Sequence, residues 1–257
     1  MDIYLAGVTS SAQSKWSKYG VSLLDGYTDE QIAEISMLES FYYATSSTVK
    51  LIPHLKRFLL DSGAFTFMGG KKSAIDWDSY VERYSRFISD NDVRLFFELD
   101  IDSVVGYERV LELRDKLENL TGKRCIPVWH KSRGKDEFLK MCDEYDYVAI
   151  GGIASKEIVK REYGVFRWFI KEANKRGAKI HGLGFTDARY FDKIRFDSVD
   201  SSTWNIGQRF ACTVVYKNGH IKQVKKPDGM RLANKEALTK YNFGQWVRYQ
   251  TYAREHL

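Results

Sequence analysis

Short, nearly continuous apolar runs recur along the chain between amphipathic stretches, and this rhythm limits it to one broad class of fold. The runs cover residues 2–8, 57–60, 95–99, 125–129, 147–150, 179–183 and 195–199. Strands that are apolar on both faces belong to a parallel sheet buried on both sides, with helices as the crossovers. Apolar residues three or four apart predict helices over 80–88, 104–120 and 155–176, the last opened by Ser155 as its cap. An eighth strand is expected within 21–44, where 21–24 and 41–44 compete. The fold class is therefore α/β, a (β/α)8 TIM-type barrel that is irregular near its start. Such a barrel commonly takes roughly 250 residues, and the chain has 257. No G-x-G-x-x-G or G-x-x-x-x-G-K-S/T follows the first strand, which removes the dinucleotide and P-loop readings.

After Trp204 the rhythm changes. Residues 210–216 and 221–224 flank Asn218-Gly219 and predict a hairpin with a tight turn. Residues 234–256 read as a closing helix. The expected division is a catalytic barrel over 1–204 and a basic hairpin-plus-helix appendage over 205–257. From Ser201 onward there are ten Lys or Arg against three acidic residues, so the formal net charge of +6 comes entirely from the last quarter. Tyr216, Tyr241, Phe243, Trp246, Tyr249 and Tyr252 are interleaved with these cations, the pattern a nucleic-acid face requires, although a packed helix also places aromatics at this spacing. Lys222, Lys225, Lys226 and Arg231 are the candidate phosphate contacts. Three scattered cysteines and no C-x-x-C pair argue against a disulfide framework or structural zinc. With no basic-then-apolar leader and no spanning segment, a cytoplasmic protein without membrane partners is expected.

In parallel α/β folds the chemistry gathers past the carboxyl ends of the strands. Those positions are polar here: Asp61-Ser62-Gly63, Glu98 with Asp100, His130-Lys131, Gly151-Gly152, Gly182 with Gly184, and Asp197 with Asp200. Carboxylates from separate strands repel one another unless a ligand, hydrogen bonds or catalysis compensates. Two of them suit chemistry at a glycosidic carbon, one stabilising or attacking the anomeric centre and the other moving a proton. Phe65 and His181 are placed to stack on a flat ligand. The residues by themselves point to group transfer or hydrolysis at a sugar carbon.

Four segments resemble, in order, motifs of the tRNA-guanine transglycosylases. Leu60-Asp61-Ser62-Gly63-Ala64-Phe65 is similar to D-S-G-G-[FY], with Ala64 for the second glycine. Ala149-Ile150-Gly151-Gly152-Ile153-Ala154 resembles G-G-L-A, His181-Gly182-Leu183-Gly184 resembles L-M-G-V-G, and Asp197-Ser198-Val199-Asp200-Ser201 resembles D-M-F-D-C. The resemblance spans about residues 58–204. It implies exchange of a guanine base for a 7-deazaguanine at C1′, with Asp200 as nucleophile, Asp61 as general acid/base and no cofactor. It also implies that Phe65 and His181 stack on the base and that Asp100 and His130 hold its edge. Gly151, Gly152, Ile153 and Gly182 would offer backbone contacts. Asp197 is the alternative nucleophile if the register slips by three residues.

The family's C-x-C-x-x-C plus His zinc site has no counterpart, so no metal is expected, and Ser202-Thr203-Trp204 stands where the family has P-T-R. Loss of the zinc module, on which the family's dimer depends, allows a monomer. A compact chain with a basic tail instead looks like the DNA-modifying branch found in phages and bacterial modification clusters, which would place a phage-encoded protein in the host cytoplasm. DNA is favoured over tRNA as partner, with 7-cyano-7-deazaguanine as an example of the incoming base. An N-glycosidic hydrolase or a silent binding module are the other classes that fit.

Overall fold

The computed structural model describes residues 1–11, 18–67, 75–206, 210–225 and 234–257. Its centre is a curled, all-parallel sheet of eight strands: β1 Asp2–Ala6, β2 Met37–Ser40, β3 Phe58–Asp61, β4 Leu95–Phe96, β5 Val128–Trp129, β6 Tyr147–Ile150, β7 Lys179–Gly182 and β8 Ser198–Ser201. The strand order is β4-β3-β2-β1-β8-β7-β6-β5. The two outer strands approach each other through a parallel bridge between Phe97 and Ile126. There the Glu98 N–H donates to the Ile126 carbonyl at 3.1 Å, and the Ile126 N–H donates to that of Phe96 at 2.8 Å. This mixed α/β arrangement is consistent with a TIM-type (β/α)8 fold.

Side-chain alternation along the strands sorts residues between the lumen and the outer layer. Tyr4, Leu38, Leu59, Phe97, Ile126, Val128 and Ala149 form one cluster, with Ala6, Tyr147 and Leu183 packed against it. The intervening residues, such as Ile3, Leu5, Val148, Ile150, Ile180 and Val199, join the larger cluster shared with the helices. Asp61 is two residues beyond Leu59, and Asp200 is two beyond Ser198. Parity therefore carries both carboxylates up the lumen side to the carboxyl rim.

Three expectations are corrected. The eighth strand is β2, Met37–Ser40, which lies in neither competing segment; 3-10 turns occupy Ser22–Leu24 and Phe41–Tyr43 instead. Met-Leu-Glu-Ser carries little β-propensity, and pairing on both sides with β1 and β3 supplies the stability that its composition lacks. The stretch expected as one helix over 104–120 is two, Asp102–Val105 and Tyr107–Thr121, broken at Gly106, whose φ of 84° and ψ of 158° cannot continue a helix. Residues 155–176 begin as turns and a 3-10 segment, Lys160–Val165, before the helix Phe166–Lys175, so Ser155 caps nothing.

The hairpin forms as expected, β9 Cys212–Lys217 against β10 His220–Lys225, around Asn218 and Gly219 at φ 50° and 75°. Two positive φ values suit the Asn-Gly pair, and they match the twist of the flanking strands. Asn234 caps the helix Lys235–His256 by accepting the Ala237 N–H at 2.9 Å. That helix buries Phe243, Trp246, Tyr249 and Ala253 in the cluster that contains Ile3 and Leu5. Its Gln250 amide donates to the Ser36 carbonyl at 2.7 Å and to the Ile3 carbonyl, tying it to β1 and the approach to β2. No helix among the described residues is long and apolar enough to cross a membrane.

Candidate active site

At the carboxyl ends of the strands a cavity of about 590 Å³ opens, a size that accommodates a small-molecule ligand. Asp61 reaches it from β3, Asp100 from beyond β4, His130 from beyond β5, Gly152 from beyond β6, Gly184 from beyond β7 and Asp200 from β8. Residues 139 positions apart in the chain thus face one space because the sheet curls.

Asp200 is fixed through one oxygen. Oδ1 accepts the Gly184 N–H at 2.6 Å and lies 3.4 Å from His181 Nε2. Oδ2 has no hydrogen-bond partner among the described residues. His181 is wholly buried, and its Nδ1 meets Ser198 Oγ at 2.5 Å; Ser198 Oγ in turn meets the Tyr147 hydroxyl at 2.5 Å. One assignment satisfies every atom: Tyr147 donates to Ser198, Ser198 to Nδ1, and the Nε2–H to Asp200. His181 therefore does not present a face to the cavity, as the resemblance implied. Its strand parity turns it into the lumen, between Tyr4 and Phe97, where it supports the carboxylate from beneath.

Asp61 is different in kind. Its Oδ2 accepts the Gly63 N–H at 3.0 Å, a tight turn that requires Gly63 at φ 79°. A Cβ there would stand 2.6 Å from that of Tyr42. Burial pushes the Asp61 carboxyl up to about 7, opposed by the Gly63 N–H and reinforced by the nearby charges of Asp200 and Asp100. A carboxyl titrating near neutrality can hold or release a proton at working pH.

His130 is clamped between two carboxylates, Nε2 to Asp100 Oδ1 at 2.6 Å and Nδ1 to Glu157 Oε2 at 2.9 Å. Burial opposes its charge, but the bonds and charges of Asp100 and then Glu157 prevail and push the imidazole pKa up to about 9. With both ring N–H groups spent on carboxylates, His130 orients Asp100 rather than meeting a base edge itself. Gly151 makes room for this: a Cβ would fall 2.7 Å from the His130 ring. Asp100, Asp102 and His130 bring possible ligand atoms within 4.8 Å of one another. Both His130 nitrogens and one oxygen each of Asp100 and Asp102 are already paired, Asp102 Oδ2 with Arg133 at 3.2 and 3.3 Å, so ion pairing accounts for their proximity.

Glu98, which shares Asp100's parity, belongs to the framework. It is wholly buried, accepting Arg114 Nε at 2.6 Å and the Val128 N–H at 2.7 Å, with Arg133 at 3.4 Å. Arg114→Ala would strand much of that charge and is expected to lower unfolding stability by about 3–5 kcal/mol. Urea unfolding checks this, and a loss below about 1 kcal/mol, the scale of an exposed pair, would contradict it.

Of the remaining candidates, Gly152 lines the cavity, whereas Gly182 lies against Phe196 and Phe185 and Ile153 packs in the outer core. The backbone of Phe65 lies in the 3-10 turn Ala64–Phe67, and its side chain is outside the described residues. Asp197 is exposed before β8, its carbonyl accepting the Asp2 N–H and its carboxylate the Ile180 N–H, both at 2.8 Å, at the opposite end of the barrel. Lys222 and Lys225 are exposed on β10; Lys226 and Arg231 lie outside the described residues. Sequence reasoning missed Glu157, Asp102, Ser132 and Ser155, which all line the cavity. The alternation Asp100-Ile101-Asp102 was an available signal for the second of these. In comparisons with known proteins, no family model and no curated protein matches the chain.

Proposed function

We propose that this protein is a pentosyltransferase that exchanges a guanine base in DNA for a 7-deazaguanine through a covalent Asp200–C1′ intermediate. One observation carries the reading: two carboxylates in opposite states of preparation face one cavity. Asp200 has one oxygen anchored and the other without a partner among the described residues, as a nucleophile needs. Asp61 has its proton affinity raised to the neutral range by burial, as a proton shuttle needs.

The chemistry follows from that division. Asp200 Oδ2 attacks C1′, the C1′–N9 bond breaks, its electron pair goes to the departing guanine, and Asp61 supplies the proton. The incoming 7-deazaguanine then yields its N9 proton to Asp61 and attacks C1′, and the ester electron pair returns to Asp200. The second oxygen of Asp100, held in place through His130, accepts N–H groups of the guanine-type edge. A target base in duplex DNA must first leave the stack for C1′ to be reached. The motif resemblance over residues 58–204 and the basic last quarter agree with this choice of substrate.

Purified protein incubated with labelled guanine or 7-deazaguanine is expected to transfer label into DNA and not into tRNA. Label entering tRNA alone would redirect the reading to RNA, and release of free guanine without incorporation would make the protein a hydrolase.

A further inference from the structure

A second cavity, about 680 Å³, lies beside the first, walled by the barrel rim on one side and by β10 and the C-terminal helix on the other. Three loops link the two spaces. Glu157, Gly184 and Asp200 line the first, and Lys160, Asp187 and Thr203, each three residues farther on, line the second. Three residues of chain reach at most roughly 11 Å, so the cavities share a rim after β6, β7 and β8.

The second cavity is built around a carboxylate pedestal. Asp187, its side chain only 16% exposed, accepts Lys160 Nζ at 2.7 Å and Arg189 Nε and Nη2 at 2.8 and 2.6 Å. Their own side chains remain 59% and 74% exposed. Asp187 thus orders two cations from separate loops with their outer faces to solvent. Lys222, exposed on β10, adds a third cation with no ion pair among the described residues. Three cations and one acid, Asp187, line this space, which leaves an excess positive charge, and each ammonium and the guanidinium keep donors unspent. Trp246 also lines this space.

We infer that this cavity is a nucleotide subsite: it holds the phosphodiester adjoining the target nucleotide while the target base occupies the first cavity. The choice of a DNA strand as ligand rests on the base-exchange reading; the anion clamp rests on the residues. A strand that delivers one base past Asp200 can carry its neighbouring phosphate across the shared rim into the cavity that Lys160, Arg189 and Lys222 line.

The test is binding of a short fluorescent oligodeoxynucleotide by anisotropy over a range of salt. Lys160→Ala, Arg189→Ala and Lys222→Ala combined are expected to weaken binding on the order of tenfold and to reduce the salt slope by about 0.7, the value for one phosphate contact on a single strand. Lys222→Glu alone, at an exposed strand position, is expected to shift both in the same direction. Oligonucleotides with one neutral methylphosphonate locate the contact: wild type loses most affinity when it adjoins the target guanine, and the triple variant is indifferent to its place. An unchanged salt slope, or a methylphosphonate profile identical in the two proteins, overturns the subsite. A position-dependent profile in a protein that exchanges no base upholds the subsite and sinks the base-exchange reading. Exchange with a flat profile does the reverse.

Discussion

Asp200→Ala is expected to abolish base exchange, by on the order of 10⁴-fold or more, because without the carboxylate no ester to C1′ can form. Wild-type protein given DNA and no acceptor base should accumulate a protein–DNA adduct that survives denaturing electrophoresis, and the variant should show none. Asp200 is held at the cavity wall through Gly184 and His181, and removing its carboxylate leaves the cations that would meet the phosphates in place, so the variant should bind oligonucleotide nearly as well as wild type. An adduct that persists in Asp200→Ala would remove this residue from the mechanism. Asp197→Ala serves as the control. At the far end of the barrel, its loss is expected to leave the adduct intact.

The second large effect concerns Asp61 and has a pH signature. Asp61→Asn should lower turnover by roughly 10²–10⁴-fold, the range of a lost general acid/base, with oligonucleotide affinity changed little. Adduct formation needs the protonated carboxyl, so its single-turnover rate should decline as pH rises through about 7. Release of the adduct to the incoming base needs the ionised carboxylate, so that rate should decline as pH falls. The two limbs need not coincide. Esterification removes the Asp200 charge that helps to raise Asp61, so in the adduct its proton leaves more easily and the release limb shifts to lower pH. Rates measured separately for the two half-reactions check this; limbs that slope the same way would show that Asp61 does not alternate between acid and base.

The parallel sheet, the Asn-Gly hairpin and the closing helix are legible in the residues because each rests on a local rule. β2 is not, since Met37–Ser40 is a strand by virtue of its neighbours. The gathering of Asp61, Asp100, His130 and Asp200 follows from strand-end position alone, which is why it can be anticipated without contacts. The role of His181 depends on parity, on which side of β7 faces the lumen, and an aromatic ring beside a glycine reads equally well as a ligand platform. Glu157 and Ser155 escaped notice because a helical reading of 155–176 turned a cavity wall into a helix start. His130 lies at the rim, but its two carboxylate partners come from other loops, and pairings of that kind leave no trace in spacing.

The run of polar groups from Tyr147 through Ser198 and His181 has a consequence for how this barrel can change over time. Tyr147 sits at the first position of β6 and Ser198 at the first of β8, near the floor of the barrel, whereas Asp200 is at its mouth. A substitution at the floor, remote from the cavity, would tilt the Asp200 carboxylate above it. Variation at the base of this barrel is therefore coupled to the geometry of its mouth, and a larger residue at position 198 has to be matched by a change at 147 or 181 before Asp200 regains its position.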